Sequence, residues 1–294
     1  MNEALIAAPT RKKRAEGFWP LLIRRFLKHR LAVFGLVMLL LLALMAILAP
    51  YIAPYTFDGQ DMSIIGQPQP PSRLHPMGTD QLGRDAFTRI LYGARISLMV
   101  GLFSALLATG LGTLIGALAG YYRGFIDALL MRFTDVVLCI PLLPLVIVLS
   151  GILRPSVALL ICIVGGLSWM GTARLVRGQF LSLREREFVE ASRALGGRDN
   201  RIMFRHILPN AVGPIIVSTT LSVGGAIMLE SALSFLGLGV QPPTPTWGNL
   251  LNYASQWLQS APWLALFPGL MILITVLSVN FLGDGLRDAL DPRT

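Results

Sequence analysis

The sequence predicts an all-α integral membrane protein with six transmembrane helices. Of its 294 residues, 54% are hydrophobic and only 14% are charged, whereas soluble domains contain about 25% charged residues. The charges are also unevenly distributed, because residues 231–283 contain none. Mean hydropathy is +0.64. A single water-soluble core fits these observations poorly, and long apolar helices in a bilayer fit them well.

Six apolar stretches are long enough to cross the roughly 30 Å hydrocarbon core, which takes about 20 helical residues. They are residues 31–49, 96–120, 125–153, 156–173, 211–229 and 263–282. The third stretch has charged residues in its first turns and contains Pro141 and Pro144. The first stretch is longer than the apolar region of a signal peptide, so we expect it to be a retained helix.

The net charge of +9 could indicate nucleic-acid binding, but the positive residues form two blocks beside apolar stretches. The first block is Arg11, Lys12, Lys13, Arg14, Arg24, Arg25, Lys28 and Arg30. The second block is Arg174, Arg177, Arg184, Arg186, Arg193, Arg198, Arg201 and Arg205. The positive-inside rule assigns both blocks, and therefore both termini, to the cytoplasm. Three arginines in the first outer loop, offset by four aspartates, weaken this assignment without reversing it.

This topology divides the chain into five parts. They are a cytoplasmic basic segment 1–30, a first helix 31–50, an extracytoplasmic loop 51–92, a five-helix core 93–283 and a cytoplasmic tail 284–294. The core includes a long cytoplasmic loop, residues 174–210, and an uncharged outer loop, residues 237–262.

The residue types that carry chemistry are sparse. No Gly-rich loop is followed by Gly-Lys-Ser or Gly-Lys-Thr, and all lysines lie in the first thirty residues, so we expect no nucleotide hydrolysis by the usual P-loop chemistry. The three histidines have no metal-ligand spacing, and both cysteines lie in apolar runs. We therefore predict no enzyme activity, metal or cofactor for this chain itself.

Two features of the predicted helices are candidates for assembly or transport. Small residues recur every four positions at Ala108, Gly112, Gly116 and Gly120, which indicates close helix packing, either within the chain or between subunits. Glu230 is a charge near the outer end of the fifth stretch. It either reaches interfacial water or lines a path for a polar substrate. Arg132 and Asp135 are expected to form a structural pair.

The loop 174–210 is patterned as two short amphipathic helices. Phe188, Ala191 and Leu195 form one apolar stripe, and Gly196 and Gly197 follow where a helix C-terminus needs a left-handed residue. Asp199 or Asn200 is predicted to cap a second helix that ends at Pro209. The pattern fits a docking element for another protein, and it equally fits a helix on the membrane surface.

The same loop carries a motif. Glu190-Ala191-Ser192, then Gly196, then His206-Ile207-Leu208-Pro209 resembles the cytoplasmic EAA loop of ABC importer permeases, with matching spacing throughout. Ser192 stands in place of an alanine and His206 in place of an isoleucine. These two departures keep the helix-Gly-helix arrangement.

Four further stretches resemble the peptide and nickel branch of these permeases. They are HPMGTDQLGRD (75–85), LYGARISL (91–98), LSFLGLGVQPPTPTWG (233–248) and GDGLRDALDPR (283–293). Together they cover nearly the whole chain after about residue 20. They are most similar to the C-type permease of dipeptide/oligopeptide systems, with glutathione permeases close behind.

The resemblance implies a type I ABC importer permease fold in a bacterial or archaeal cell membrane, the inner one in Gram-negative cells. It implies a heterodimer with a second homologous permease, two ABC ATPase subunits and an extracytoplasmic substrate-binding protein. The coupling residues carried over are Glu190, Ala191, Ser192, Gly196, His206, Leu208 and Pro209. The expected function is import of di- or oligopeptides, with glutathione or a nickel chelate as alternative substrates.

Two other classes of function compete with this interpretation. An ion-coupled secondary transporter would need inverted repeats and charged or unwound sites near the bilayer midplane, and the sequence offers no clear pair of them. A membrane-embedded enzyme would need a Ser-His or metal cluster within the helices, and none is evident.

Overall fold

The computed structural model describes residues 18–153 and 156–290. Within these ranges the regular secondary structure is helical, apart from one isolated antiparallel bridge between Thr79 and Asp85. Arg11, Lys12, Lys13 and Arg14 of the first basic block lie outside the described residues, as does Arg293 at the end of the last motif. An all-α architecture is therefore confirmed.

The first apolar stretch forms a helix flanked by two shorter ones. They are α1 (Phe18–Lys28), α2 (Arg30–Ile47) and α3 (Ala49–Ile52). Nδ1 of His29 accepts the backbone N–H of Ala32 at 3.1 Å and so caps the start of α2. The chain turns at Leu48, and Pro50 lies in the first turn of α3, where its missing N–H costs no hydrogen bond.

The second stretch belongs to a much longer helix, α4 (Ala86–Tyr122). Its 37 residues extend about 55 Å at 1.5 Å per residue, which exceeds the hydrocarbon thickness. Asp85 caps its start by accepting the N–H of Thr88 at 2.7 Å. Residues 86–92, predicted as part of the outer loop, are therefore helical. The prediction was too short because Arg89 interrupts the apolar pattern, and the fold buries that side chain.

The third stretch is not one helix. It consists of α5 (Gly124–Cys139) and α6 (Leu142–Ile152), separated at Ile140 and Pro141. A residue before proline is driven out of the helical region, and Ile140 accordingly has ψ of 121°. The fourth stretch forms α7 (Val157–Gly166) and α8 (Met170–Leu183), which are bent by 45° relative to each other. The predicted cytoplasmic loop from residue 174 therefore begins inside α8.

A short 3-10 helix, Met62–Ile64, lies before α4, and after α8 the described chain contains five helices and one π-helical segment. They are α9 (Glu187–Ala194), α10 (Asp199–Arg201), the π-helical segment Ile202–Ile207, α11 (Leu208–Phe235), α12 (Trp247–Ser255) and α13 (Trp263–Leu290). From Asp199 to Phe235 the helix is continuous over 37 residues. Pro209 thus does not end a helix as predicted, because it lies in the first turn of α11.

Four helices are long and apolar enough to cross a membrane: Arg30–Ile47, Ala86–Tyr122, Asp199–Phe235 and Trp263–Leu290. The bent pair α7 and α8 makes a fifth if it is counted as one span. These are counts by length and composition in the described ranges. The sixth crossing, by α5 and α6, stays a prediction.

The small-residue stripe on α4 packs against α8 of the same chain. A Cβ added to Gly112 would lie 2.7 Å from the carbonyl oxygen of Trp169, and one added to Gly120 would lie 2.6 Å from Cβ of Phe180. Such distances leave no room for a side chain. The interpretation as packing within the chain is confirmed, and it places α4 at the centre of the helix bundle.

Candidate functional site

The helix α9 is held to the bundle on one side and exposed on the other. Val189 is fully buried in a cluster with Phe180 of α8 and with Ile202, Met203 and Ile207 of the following helical stretch. Phe188 and Leu195 are 41% and 89% exposed. The predicted apolar stripe therefore faces away from the chain's own core.

α9 ends in a left-handed turn that requires glycine. Gly196 has φ of +77°, its N–H donates to the carbonyl of Arg193, and the N–H of Gly197 donates to the carbonyl of Ser192, both at 2.9 Å. This hydrogen-bond pair is the Schellman motif. A Cβ on Gly196 would have no neighbour within 4 Å among the described residues, whereas one on Gly197 would lie 2.7 Å from the carbonyl oxygen of Ser192. The two glycines are thus needed for different reasons.

The other residues of the EAA-like motif lie on three elements joined by the Val189 cluster, namely α9, the π-helical segment and the start of α11. Glu190 and Ala191 are exposed on α9, and Ser192 is half-buried there. His206 is half-buried in the π-helical segment, and its carbonyl accepts the side-chain amide of Asn210 at 2.7 Å. Leu208 packs against the Val189 cluster, and Pro209 is exposed.

A clasp around Tyr121, at the end of α4, holds this loop in place. The Tyr121 hydroxyl donates to the carboxylate of Asp199 at 2.6 Å. The guanidinium groups of Arg184 and Arg193 lie 5.7 and 5.6 Å from the Tyr121 ring centre, and Arg184 also donates to the Tyr121 carbonyl. The N-cap of α10 is Arg198, so neither Asp199 nor Asn200 caps this helix as predicted. Sequence reasoning did not find this clasp.

Burial and the neighbouring cations Arg193 and Arg123 lower the pKa of Arg184 below its usual range. Its ordinary value lies so far above neutrality that the guanidinium stays charged. Arg123 in turn forms a 2.5 Å ion pair with Glu185. The part of the second basic block near Tyr121 is therefore an ordered set of ionic contacts.

Two arginines of α8 bind carboxylates of α5. Arg177 donates two hydrogen bonds to Asp127 at 2.5 and 2.6 Å, and Arg174 donates to Asp135 at 2.6 Å. The predicted pair of Arg132 with Asp135 is wrong, because Asp135 turns toward the neighbouring helix. The bidentate geometry fixes the orientation of α5 against α8.

Glu230 is fully buried between α11, α4 and α12. Its carboxylate accepts the hydroxyl of Ser97 at 3.1 Å and that of Ser234 at 2.7 Å. It therefore does not reach interfacial water in this structure. Its predicted role in a substrate path stays a prediction, and a contact with substrate would need a different arrangement of these helices.

The same network fixes α12, which the sequence presented only as a loop. The backbone N–H of Trp247 donates to the Ser97 hydroxyl, and its indole N–H donates to the Ile90 carbonyl, both at 3.2 Å. Thr246 and Asn249 form a capping box at the helix start. The spacing Thr246-x-x-Asn249 before an apolar run is the sequence pattern from which the start of α12 could have been predicted.

An open groove of about 730 Å³ lies between α8, α11 and α13. Its lining includes Pro214, Ser218 and Ser222 of α11 and Arg287 of α13. In the described ranges no group of three or more His, Cys, Asp or Glu side chains has an arrangement that could hold a metal ion.

Comparison with known proteins identifies the family. Residues 112–294 match the family described as binding-protein-dependent transport system inner membrane component. The chain belongs to this family. Residues 17–71 of the permease also match the N-terminal TM domain of oligopeptide transport permease C.

Full-length relatives agree with this assignment. The dipeptide transport system permease protein DppC of Alkalihalophilus pseudofirmus is 45% identical to the permease over 94% of this chain and 90% of the relative. The oligopeptide transport system permease protein OppC of Haemophilus influenzae is 39% identical over 94% and 89%. The glutathione transport system permease protein GsiD of Pectobacterium atrosepticum is 44% identical over 94% and 90%. The predicted function of an ABC importer permease is thereby confirmed.

A solved structure supports the fold. The permease aligns with a chain of the MetNI methionine ABC transporter in an inward-facing conformation with a TM-score of 0.53 and 18% identity. The alignment covers 69% of this chain and 96% of that chain. The type I importer permease fold predicted from the sequence is confirmed.

Proposed function

We propose that this permease forms one half of a heterodimeric channel with a second, homologous permease, driven by two ABC ATPase subunits in the cytoplasm. The observation that carries the proposal is the exposed apolar face of α9 formed by Phe188, Ala191 and Leu195. Val189 and the Schellman turn hold that helix rigidly, so the exposed face is available to an ATPase surface.

The continuous helix Asp199–Phe235 transmits a displacement of α9 across the membrane. It begins at the Tyr121 clasp beside α9 and ends beside Glu230 and α12. Closure of the ATPase pair would displace α9 and tilt this helix together with α4. Motion of packed helices between two arrangements is a common way to open a path on the other side.

The proposed substrate is a di- or oligopeptide, or a related small solute such as glutathione, delivered by an extracytoplasmic binding protein. Relatives named for dipeptide, oligopeptide and glutathione transport are 45%, 39% and 44% identical to this chain. All three names denote peptide-like molecules. These names therefore support a peptide-like class of substrate.

We test this function with the assembled complex in proteoliposomes. ATP and the cognate binding protein should drive uptake of a labelled dipeptide, and a protonophore should leave uptake unchanged. Uptake without ATP that the protonophore abolishes would instead indicate a secondary transporter. The isolated permease should neither hydrolyse ATP nor accumulate peptide, and ATPase activity of the pure subunit would contradict the proposal.

The proposed topology has six crossings, with both termini in the cytoplasm and α5 with α6 as one broken span. Gly66 and Asn200 are both exposed, so cysteines placed there are accessible to reagents. After Cys139 and Cys162 are replaced by serine, residue 200 should be labelled only from the cytoplasm and residue 66 only from outside. Outside labelling of residue 200 would overturn the topology.

A further inference from the structure

The first turns of α4 contain a buried arginine whose hydrogen bonds are incomplete within the described chain. Arg89 is 1% exposed. One of its terminal nitrogens donates to the carbonyl of Phe57 at 3.0 Å, while Nε and the other terminal nitrogen have no hydrogen-bond partner among the described residues. A buried donor without a partner destabilises the folded state, and more so when it is charged.

Nearby acidic groups do not complete these bonds. Asp80 is the closest carboxylate, but it lies 3.8 Å from Nε of Arg89, which is too long for a hydrogen bond. Its oxygens already accept Nε of Arg84 at 2.7 Å and the backbone N–H groups of Leu82 and Arg84. The Asp80 carboxylate therefore lies near two guanidinium groups but accepts a hydrogen bond only from that of Arg84. Arg89 needs a further group that offers a lone pair.

A small cavity of about 20 Å³ lies beside Arg89. Its lining includes Asp80, Gln81 and Trp263. The side-chain carbonyl oxygen of Gln81 and the indole nitrogen of Trp263 are both buried, and neither has a hydrogen-bond partner in the described ranges. The three residues that carry these unpaired donors and this unpaired acceptor therefore line one space.

We propose that Arg89, Gln81 and Trp263 bind a single buried water molecule in this cavity. The cavity of about 20 Å³ holds one water molecule. One water needs about 10–15 Å³ of space for its centre, and two would need about twice that. The mixture of groups decides its chemistry. A water accepts N–H groups of Arg89 and Trp263 and donates to Gln81 and Asp80, whereas a halide cannot donate to either oxygen.

This water joins parts of the chain that are far apart in sequence. Gln81 lies in the segment before α4, Arg89 in the first turns of α4, and Trp263 at the start of α13. A bridging water is nearly as favourable in enthalpy as a direct hydrogen bond. It stabilises the buried guanidinium and fastens the segment of residues 57–85 onto the helix bundle. The inference is independent of the proposed substrate and partners.

The test is a cryo-electron microscopy map of the assembled transporter at a resolution that shows ordered waters, recorded in chloride and in bromide buffer. We expect an isolated density within about 2.7–3.2 Å of Arg89 and Gln81 that is the same in both buffers. A density that strengthens in bromide would show an anion and overturn the proposal. A cavity without density would overturn it as well.

Gln81→Leu and Gln67→Leu provide a matched pair, because Gln67 is an exposed glutamine of the same segment. The density should disappear in Gln81→Leu and persist in Gln67→Leu. An unchanged density in Gln81→Leu would contradict the assigned role of Gln81. If Gln81→Leu fails to assemble, the two maps of the unaltered protein still decide the proposal.

Discussion

The hydroxyl of Ser97 on α4 donates a 3.1 Å hydrogen bond to the carboxylate of Glu230 on α11, although 133 residues separate them in the chain. The same hydroxyl oxygen accepts the backbone N–H of Trp247 at 3.2 Å. One serine therefore joins the central helix α4, the long helix Asp199–Phe235 and the start of α12. This arrangement makes Glu230 a buried acceptor on which the positions of three helices depend.

Glu230→Ala should destabilise the permease by about 3 kcal/mol, because it leaves a cavity and removes the acceptor of two buried hydroxyls. Glu230→Gln keeps the volume and an amide oxygen, so we expect a loss of about 1 kcal/mol. Thermal unfolding of the purified permease in detergent measures both effects. Ser231→Ala is the control, because its hydroxyl lies 3.5 Å from the carboxylate. Equal stability of Glu230→Ala and the control would refute this view of the network.

Gly196→Asp should insert normally and assemble with its partner permease but lose uptake. The left-handed turn costs a residue with a Cβ about 1 kcal/mol, which is too little to unfold the chain. The added charge at a helix C-terminus is also unfavourable. Because a Cβ there meets no described residue within 4 Å, a large loss of uptake would support the proposed contact of α9 with an ATPase.

Two further variants separate these causes. Gly196→Asn tolerates the left-handed conformation, so it isolates the effect of side-chain bulk from that of backbone strain. Gly197→Asp should instead lower membrane abundance, because its Cβ collides with the carbonyl of Ser192. Normal uptake by Gly196→Asp at normal abundance would argue against a coupling role for this glycine.

Tyr121→Phe removes the hydroxyl that binds Asp199 and should destabilise the loop that contains α9 by about 1 kcal/mol. We expect faster proteolysis of residues 184–206 and weaker recruitment of the ATPase. Tyr122→Phe is a close control, because that neighbouring side chain is 40% exposed. Identical protease sensitivity of the two variants would show that the clasp contributes nothing measurable.

A disulfide between α4 and α11 should leave uptake intact if these helices move together. The hydroxyls of Thr109 and Thr219 lie 3.1 Å apart, so cysteines at both positions are close enough to cross-link. In a background without Cys139 and Cys162, we would oxidise the Thr109→Cys/Thr219→Cys complex and measure uptake against each single cysteine variant. Loss of uptake that a reductant reverses would mean that the two helices slide past each other during transport.

Hydropathy and charge are enough to determine the class of this protein. A water-soluble chain of this length could not shield such long apolar stretches from water, so they are expected to lie in a membrane. Positive charges beside them favour a cytoplasmic position for the flanking segments. Local motifs also go far. The glycine turn after α9 is predicted correctly, because glycine adopts φ of +77° without the steric cost of a Cβ. Packing of the stripe Gly112, Gly116 and Gly120 is likewise encoded by spacing, although its partner helix is not.

Only the tertiary structure decided which charges meet and which helices continue. Asp135 binds Arg174 rather than Arg132, and Arg89 is buried at the start of α4, because these environments are made by residues distant in the sequence. Hydropathy likewise does not show that α5 and α6 separate at Pro141 or that the helix runs through Pro209. Periodicity records which faces of a helix are apolar, but the partner of a buried polar group is chosen by the packing of the whole bundle.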